Sequence, residues 1–379
     1  MFLSVALEIP TTQTAILQHA QGQAVIAHDV LVPTPQPGYV LVQTIAVALN
    51  PSDFKMGRAF PCPGAIVGTD FAGRVVAMHD DDSSQAMAVL TIGDIVCGIS
   101  HGSNPGDPSA GAFAQYVLSQ RELLMHMPHA RPDLKVHGAA ALGTALFTTC
   151  AALWGSLRLQ ATPEANLQPT GHREDDMPVL VYGGSTSCGT IAIQLLKLSG
   201  YAPIATCSPR NFNMVKSFGA WAVVDYSSPG SVDEVKQLSR GRLRHALDCI
   251  TDQASVAFCY AALGRPGDRY ASLEKSEPDW RTRAVVQHEF VMALEVLGKA
   301  VELGGDYSRS PNPQLHKLAQ DFVGLYQRLL DKGGLRNHSV RVIGHGFETI
   351  TKGLQELKSG SVSATKLVVI IDKTQVTTK

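Results

Sequence analysis

Two packed parts, one rich in β-strand and one a doubly wound α/β sheet, are what this sequence predicts, and three observations carry the prediction. Short apolar runs alternate with helix-period segments from residue 178 to residue 250, as the strand–helix–strand crossovers of a parallel sheet require. Ahead of residue 120 the apolar runs are β-branched, short and interrupted by glycine, which suits a compact, closed β structure. The length, 379 residues, is enough for two domains, and a hydrophobic content of 45% supplies ordinary cores for both.

In the first part, residues 40–49, 66–76, 92–99 and 111–117 read as strands, with Gly68, Gly73 and Gly93 at turns or bulges. Residues 137–157 carry no Asp, Glu, Lys or Arg and are long enough to span a bilayer. They are built largely from Ala, Gly and Thr and lack flanking aromatic belts, so a buried helix is the expectation. Residues 162–177 are polar, with two prolines and a charged cluster, and read as a loop. Beyond it, residues 179–182 form a short apolar strand. Ile191, Leu195 and Leu198 recur at helical spacing until Gly200 ends that helix. Residues 204–207, 222–224 and 246–250 are further strands, and 211–218 a helix stopped by Gly219. The last part holds helices over 314–330 and 347–357, separated by the breaker Gly333-Gly334, and an apolar final strand over 367–371.

Bulk properties exclude several function classes. The formal net charge is −1 and no long basic run occurs, so neither nucleic acid nor an anionic membrane is an expected partner. Seven cysteines, an odd number with no C-x-x-C pair, read as thiols in a reducing compartment, and a cytoplasmic protein is expected. Residues 1–10 have no Lys or Arg ahead of their apolar stretch and do not read as a secretory signal. The thirteen histidines form no H-x-x-x-H or H-E-x-x-H pattern, and no metal site is expected from them.

The motif that carries chemistry is Gly183-Gly184-Ser185-Thr186-Ser187-Cys188-Gly189, between a buried strand and a helix. Glycine lets the backbone approach a pyrophosphate, and the helix N-terminus offers it free N–H groups and partial positive charge. Ser185, Thr186 and Ser187 add hydroxyl donors. The spacing departs from G-x-G-x-x-G, and a ligand-free strand–turn–helix corner is the competing reading. The next strand bears on which cofactor binds. It ends in Cys207-Ser208-Pro209-Arg210-Asn211, with no carboxylate for a ribose 2′-hydroxyl but an arginine suited to a 2′-phosphate. That favours NADPH; the alternative is that Arg210 merely caps a surface turn. Tyr226, after the third strand, is placed either to stack near the adenosine end or to pack.

Over nearly its whole length the chain resembles the medium-chain dehydrogenase/reductases. The landmarks are Asn50-Pro51-Ser52-Asp53, Gly68-Thr69-Asp70-Phe71-Ala72-Gly73, Gly93-Asp94 and the glycine turn. The resemblance implies a GroES-like β-rich catalytic domain over residues 1–150 and 315–379 and a Rossmann NADPH-binding domain over 151–314. Zinc-dependent members have a cysteine at the position of Asn50 and a His-Glu pair at Thr69-Asp70, so this chain looks zinc-free. Longer blocks are similar to the fungal trans-acting enoyl reductases of polyketide biosynthesis: Asn50-Pro51-Ser52-Asp53-Phe54-Lys55-Met56, Val181-Tyr182-Gly183-Gly184-Ser185-Thr186, Pro203-Ile204-Ala205-Thr206-Cys207-Ser208-Pro209 and Ala246-Leu247-Asp248-Cys249-Ile250-Thr251.

That likeness implies 1,4-reduction by NADPH of an α,β-unsaturated thioester, held on the carrier protein of a partner polyketide synthase by a monomeric enzyme. Charge develops on the thioester oxygen, so a donor placed there lowers the barrier. Lys55 is the candidate donor or proton source; a solvated lysine paired with Asp53 is the alternative. Ser52, Asp53 and Phe54 are expected beside the cofactor. Thr148 is a candidate for bonding substrate or nicotinamide, or its own backbone. Thr149, Cys150, Ala151 and Ala152 follow it toward the substrate. Leu263 and Gly264 are expected beside the nicotinamide, and Ser363 and Ala364 at the cofactor. Phe290, Val291, Met292, Ala293 and Leu294 are expected to line the acyl pocket. Two other functions fit the same residues: a quinone or enone reductase acting on free small molecules, and a non-catalytic NADPH-binding adaptor.

Overall fold

The computed structural model describes residues 8–79, 90–128, 131, 133–163 and 176–372. Most of the loop expected over 162–177, and most of the segment 1–10, lie outside these residues.

In chain order, β1 (Thr12–Gln18) and β2 (Ala24–Leu31) form an antiparallel hairpin. Then come β3 (Tyr39–Ala48), α1 (Pro51–Ala59), β4 (Asp70–Met78), β5 (Ile95–Ile99), β6 (Tyr116–Gln120) and β7 (Met125–His126). Helices α2 (Val136–Ala139) and α3 (Gly143–Cys150) follow, and α3 runs on into a π-helical turn at Ala151–Ser156. The alternating region holds β8 (Pro178–Tyr182), α4 (Ser187–Leu198), β9 (Ala202–Thr206), α5 (Phe212–Ser217) and β10 (Ala222–Val224). It continues with α6 (Ser231–Leu238), β11 (His245–Asp248), α7 (Gln253–Ala262), β12 (Arg269–Ser272) and β13 (Gln287–Phe290). Last come α8 (Pro313–Asp331), β14 (Val340–His345), α9 (Phe347–Lys358) and β15 (Lys366–Ile370).

Among the described residues, β10-β9-β8-β11-β12-β13 form one sheet in that order, and every neighbouring pair is parallel. Its strands are short and mostly buried on both faces, so they read as continuous apolar runs. The strand order reverses between β8 and β11, and ligands of such sheets bind beyond the strand C-termini at that point. The second sheet runs β14-β15-β3-β4-β5-β7, with β6 on β3. Strand β15 pairs with β3, so the end of the chain returns to the β-rich part.

The uncharged segment is the joint between the two sheets. Val136–Ser156 is long and apolar enough to cross a membrane by composition, yet 83% of that window is buried inside the protein. Helix α3 packs on α4, β5 and α8, and its small residues permit the approach. A Cβ at Gly143 would lie 2.1 Å from the Gly98 carbonyl oxygen.

Three expected strands start later than the apolar pattern suggests. The strand expected at 66–76 begins at Asp70, because Gly68 turns the backbone at φ +100° against the Phe113 ring. The one expected at 92–99 begins at Ile95, after the Gly93 turn at φ +103°. The one expected at 111–117 forms at Tyr116, because Gly111 lies directly on the Ile66 backbone and the residues after it pass as a connector.

Candidate active site

The glycine turn sits at the strand-order reversal. Gly183 follows β8 at φ +81°, and the Gly184 N–H donates to the Thr206 carbonyl at 2.8 Å, tying the turn to β9. Thr186 caps α4: its hydroxyl accepts from the Gly189 N–H at 3.0 Å and donates to the Gly183 carbonyl at 2.8 Å. A Cβ at Gly189 would come 2.4 Å from the Gly183 oxygen, so only glycine lets the helix start this close to the strand. The Ser187 hydroxyl is buried and has no hydrogen-bond partner among the described residues. An orphaned donor in the first turn of a twelve-residue helix fits an anionic group bound there.

Beside the turn, residues from three separate stretches meet. The Ser208 hydroxyl is 3.3 Å from the Tyr226 hydroxyl, and Arg210 Nη2 donates to Ser363 Oγ at 3.2 Å. Pro209 opens the turn after β9, the Asn211 N–H donates to the Ser208 carbonyl, and Ala364 takes φ +55° beside Ser363. The nearby Asp225 carboxylate is occupied in its own turn by Ser227 and Ser228, whose hydrogen bonds hold its pKa down. Leu263 and Gly264 do not join this group. Helix α7 runs back along the sheet, so the residues after it sit at the amino ends of the strands, where Gly264 N–H bonds the Leu243 carbonyl and Arg283 holds both carbonyls. Cys249 and Ile250 after β11, and Leu273 and Glu274 after β12, stand at the carboxyl ends instead.

From the turn a cleft of about 1570 Å³ runs between the two sheets. Thr186 and Cys188 line its end at the glycine turn, and Ser52, Asp53, Phe54 and Lys55 of α1 line one side. Phe290, Val291, Met292, Ala293 and Leu294 form the far wall, joined by Met56, Phe60, Leu303 and Tyr307. The Tyr307 ring packs on Phe60 at 4.9 Å and on Phe290 at 5.1 Å. Lys55 pairs with Glu274 at 3.5 Å rather than with Asp53, and its side chain is 53% exposed. Thr148 lines the cleft, but the four residues after it do not. The Thr149 hydroxyl donates to the Ala145 carbonyl at 2.8 Å, and Cys150, Ala151 and Ala152 are buried in the main core. Successive helix positions turn about 100° apart, so one residue of this run can face the cleft while its neighbours face the protein.

The floor of the cleft is a buried polar cluster. Asn50 Nδ2 donates to Thr69 Oγ1 and to Asp70 Oδ2, both at 2.9 Å. The Thr69 hydroxyl donates to Asp53 Oδ1 at 3.2 Å, and the Asn50 N–H to Asp53 Oδ2 at 2.7 Å. Beneath them lies Lys366, the first residue of β15, whose ammonium donates to Asn50 Oδ1 at 2.7 Å and to Asp70 Oδ2 at 2.5 Å. The Thr144 N–H takes Asp70 Oδ1 at 2.6 Å. Burial, and secondarily the Asp70 charge, push the Asp53 pKa up to about 7.

Residues 36–129 match the alcohol dehydrogenase GroES-like domain family and residues 188–271 the zinc-binding dehydrogenase family. The trans-enoyl reductase poxP of Penicillium oxalicum is 44% identical over 98% of this chain and 96% of its own. The trans-enoyl reductase TwmE of Talaromyces wortmannii is 45% identical over 96% of this chain and 99% of its own. This chain belongs to the trans-enoyl reductases. Among solved structures, the CurK enoyl reductase matches with a TM-score of 0.69 at 16% identity, covering 95% of this chain and all of that one. An alcohol dehydrogenase superfamily protein from Novosphingobium aromaticivorans matches with a TM-score of 0.72 at 22% identity, covering 95% of this chain and all of that one. These show the fold, a GroES-like domain joined to a Rossmann sheet, and the match to the dehydrogenase family supports a nicotinamide cofactor.

The zinc of the matched dehydrogenase family does not fit this trans-enoyl reductase. Asn50 Oδ1 is taken by an ammonium, Thr69 Oγ1 accepts from an amide, and both Asp70 oxygens are bonded. A divalent ion there would compete with a cation already in place, for donors that bind zinc poorly. Among the described residues no group of three or more His, Cys, Asp or Glu gathers to hold a metal. The residues that sequence reasoning missed, Lys366, Glu274, Tyr307 and Thr144, come from distant stretches. Only Lys366 carried a signal, a lone cation opening an otherwise apolar strand.

Proposed function

We propose that the protein reduces the α,β double bond of an unsaturated thioester presented by the carrier of a partner polyketide synthase, using NADPH, as a cytoplasmic monomer. The single observation that supports this best is the continuous cleft, polar at the glycine turn and apolar at Phe290, Met292 and Leu294. NADPH, when bound, supplies the hydride. Ser187 and the first turn of α4 would hold its pyrophosphate, and Ser208, Arg210, Tyr226 and Ser363 its 2′-phosphate. Ser52, Phe54 and Thr148 stand where the nicotinamide end would lie. Residues 1–150 with 315–379, and 151–314, are the two domains in this reading.

Lys55 carries a positive charge at the cleft wall, held by Glu274 and exposed enough to swing to a substrate oxygen. That charge would stabilise the oxyanion as it develops and could return a proton to the α-carbon. Thr148 lines the same cleft and offers a hydroxyl there. The apolar wall excludes water and fits an acyl chain.

The test is NADPH oxidation with an enoyl-pantetheine thioester, run beside a simple quinone. Turnover of the thioester is expected, and Lys55→Ala should lower kcat by roughly 10–100-fold while NADPH affinity stays within about 2-fold. Turnover of the quinone alone, or cofactor binding without any turnover, would sink the reading.

A further inference from the structure

We propose that Lys366 is a positioning residue, a built-in cation that orients the cleft floor through a one-way hydrogen-bond chain from Lys366 to Asn50, Thr69 and Asp53. This deepens the enoyl-reductase reading and rests on it. The chain has a direction because an ammonium can only donate. Asn50 must therefore present Oδ1 to Lys366, at 2.7 Å, which leaves Nδ2 as the donor to Thr69 at 2.9 Å. With its oxygen accepting from that amide, the Thr69 hydroxyl sends its own hydrogen to Asp53 Oδ1 at 3.2 Å. The Asn50 and Thr69 side chains line the cleft, and Lys366 acts from behind them.

The cation is held in place on every side. The Lys366 side chain is 4% exposed and that of Asp70 is fully buried. Asp70 is itself fixed by the Thr144 N–H at the start of α3, so the pair links β4, β15 and α3 beneath the cleft. The other titratable groups facing this charge are Asp53 on α1, Cys188 on α4, and His338 ahead of β14, whose pKa is lowered first by burial and then by the ammonium. Cys97 on β5 faces Asp70. A buried ion pair is weak evidence of stabilisation, since well-packed neutral groups often do as well or better. Here the charge lies under the polar groups nearest the expected reaction centre, where low dielectric makes a fixed charge most effective. A metal would supply the same positive charge at this floor, and the ammonium takes the oxygen such a metal would need.

The experiment compares the whole wild-type protein with Lys366→Arg, Lys366→Met and the neutral pair Asp70→Asn/Lys366→Met. Removing one partner strands a buried charge and can unfold the protein, whereas the neutral pair leaves none. Circular dichroism checks folding, nicotinamide fluorescence gives NADPH affinity, and an enoyl-pantetheine thioester gives kcat and KM. The expected result is a folded neutral pair with NADPH affinity and KM within about 3-fold of wild type and kcat lowered at least roughly 10-fold, with Lys366→Arg regaining part of the loss seen in Lys366→Met. A merely structural pair would leave kcat at the wild-type value in the folded neutral variant, and that outcome overturns the proposal. If the neutral pair does not fold, Asn50→Asp decides. It keeps an acceptor for the ammonium but loses the donor to Thr69 and to Asp70, and an unchanged kcat again overturns the proposal. No thioester turnover by the wild type would count against the enoyl-reductase reading. Lys366 would then be judged on metal alone: wild-type protein incubated with zinc and gel-filtered should carry none, and one zinc per chain would refute the built-in cation.

Discussion

Arg210 and Asp53 show how much a single residue's neighbours decide. Arg210 stands beside Ser208, Tyr226 and Ser363, and the Asp225 carboxylate is taken up in its own turn, an arrangement that suits a 2′-phosphate and offers a 2′-hydroxyl no carboxylate to donate to. A hydrogen bond to a charged group contributes about 1.5–3 kcal/mol, so Arg210→Ala should weaken NADPH binding by roughly 10–100-fold. NADH binding should change little. Fluorescence titration with both cofactors measures the ratio, and an equal loss for both would assign Arg210 to structure. For Asp53, burial raises the folded-state pKa from 3.8 to about 7. The folded protein then holds a proton that the unfolded chain has already released between those values. Stability contributed by this group is therefore full below about pH 4 and is lost as pH rises to about 7, with a slope of up to about 1.4 kcal/mol per pH unit. Asp53→Asn should flatten that part of the stability–pH curve in denaturant titrations. A curve of unchanged slope would mean that Asp53 is ionised throughout.

At the scale of elements, the strand–turn–helix unit from β8 to α4 is the most constrained piece of the fold. Its helix begins within contact distance of the strand it follows, and Gly189 is the residue that permits this. Gly189→Ala forces a methyl into the Gly183 carbonyl, and overpacking of that kind costs about 1–3 kcal/mol. Reduced thermal stability with at least a roughly 10-fold loss of NADPH affinity is expected, because the shift also moves the first-turn N–H groups proposed to hold the pyrophosphate. Wild-type stability and affinity would show that strand and helix can part freely. Helix α3 makes the complementary point. Thr148 and Thr149 are neighbours of the same type, yet one lines the cleft and the other bonds its own helix backbone. Sequence spacing alone could not separate them, because which face of a buried helix meets a cavity depends on what packs on the others.

Across the whole molecule, local order was legible and long-range meeting was not. The strands and helices from β8 to β10 could be read from alternation, glycine stops and apolar runs, since these depend on a residue's immediate neighbours. So could the turn at Gly183, the lack of an acidic residue after β9, and the unsuitability of Asn50 and Thr69 as zinc ligands. Leu263 and Gly264 were misplaced because their side of the sheet follows from the return direction of α7, a property of the crossover rather than of the residues. Glu274 and Tyr307 joined the cleft by contacts that no local pattern encodes. The sequence by itself thus determined the fold class, the glycine turn between β8 and α4 and the absence of zinc ligands at Asn50 and Thr69, all consequences of short-range chemistry. Only the tertiary structure decided that Lys366, 316 positions from Asn50, would carry its ammonium beneath the cleft, because β15 must pair with β3 before that charge can meet Asp70.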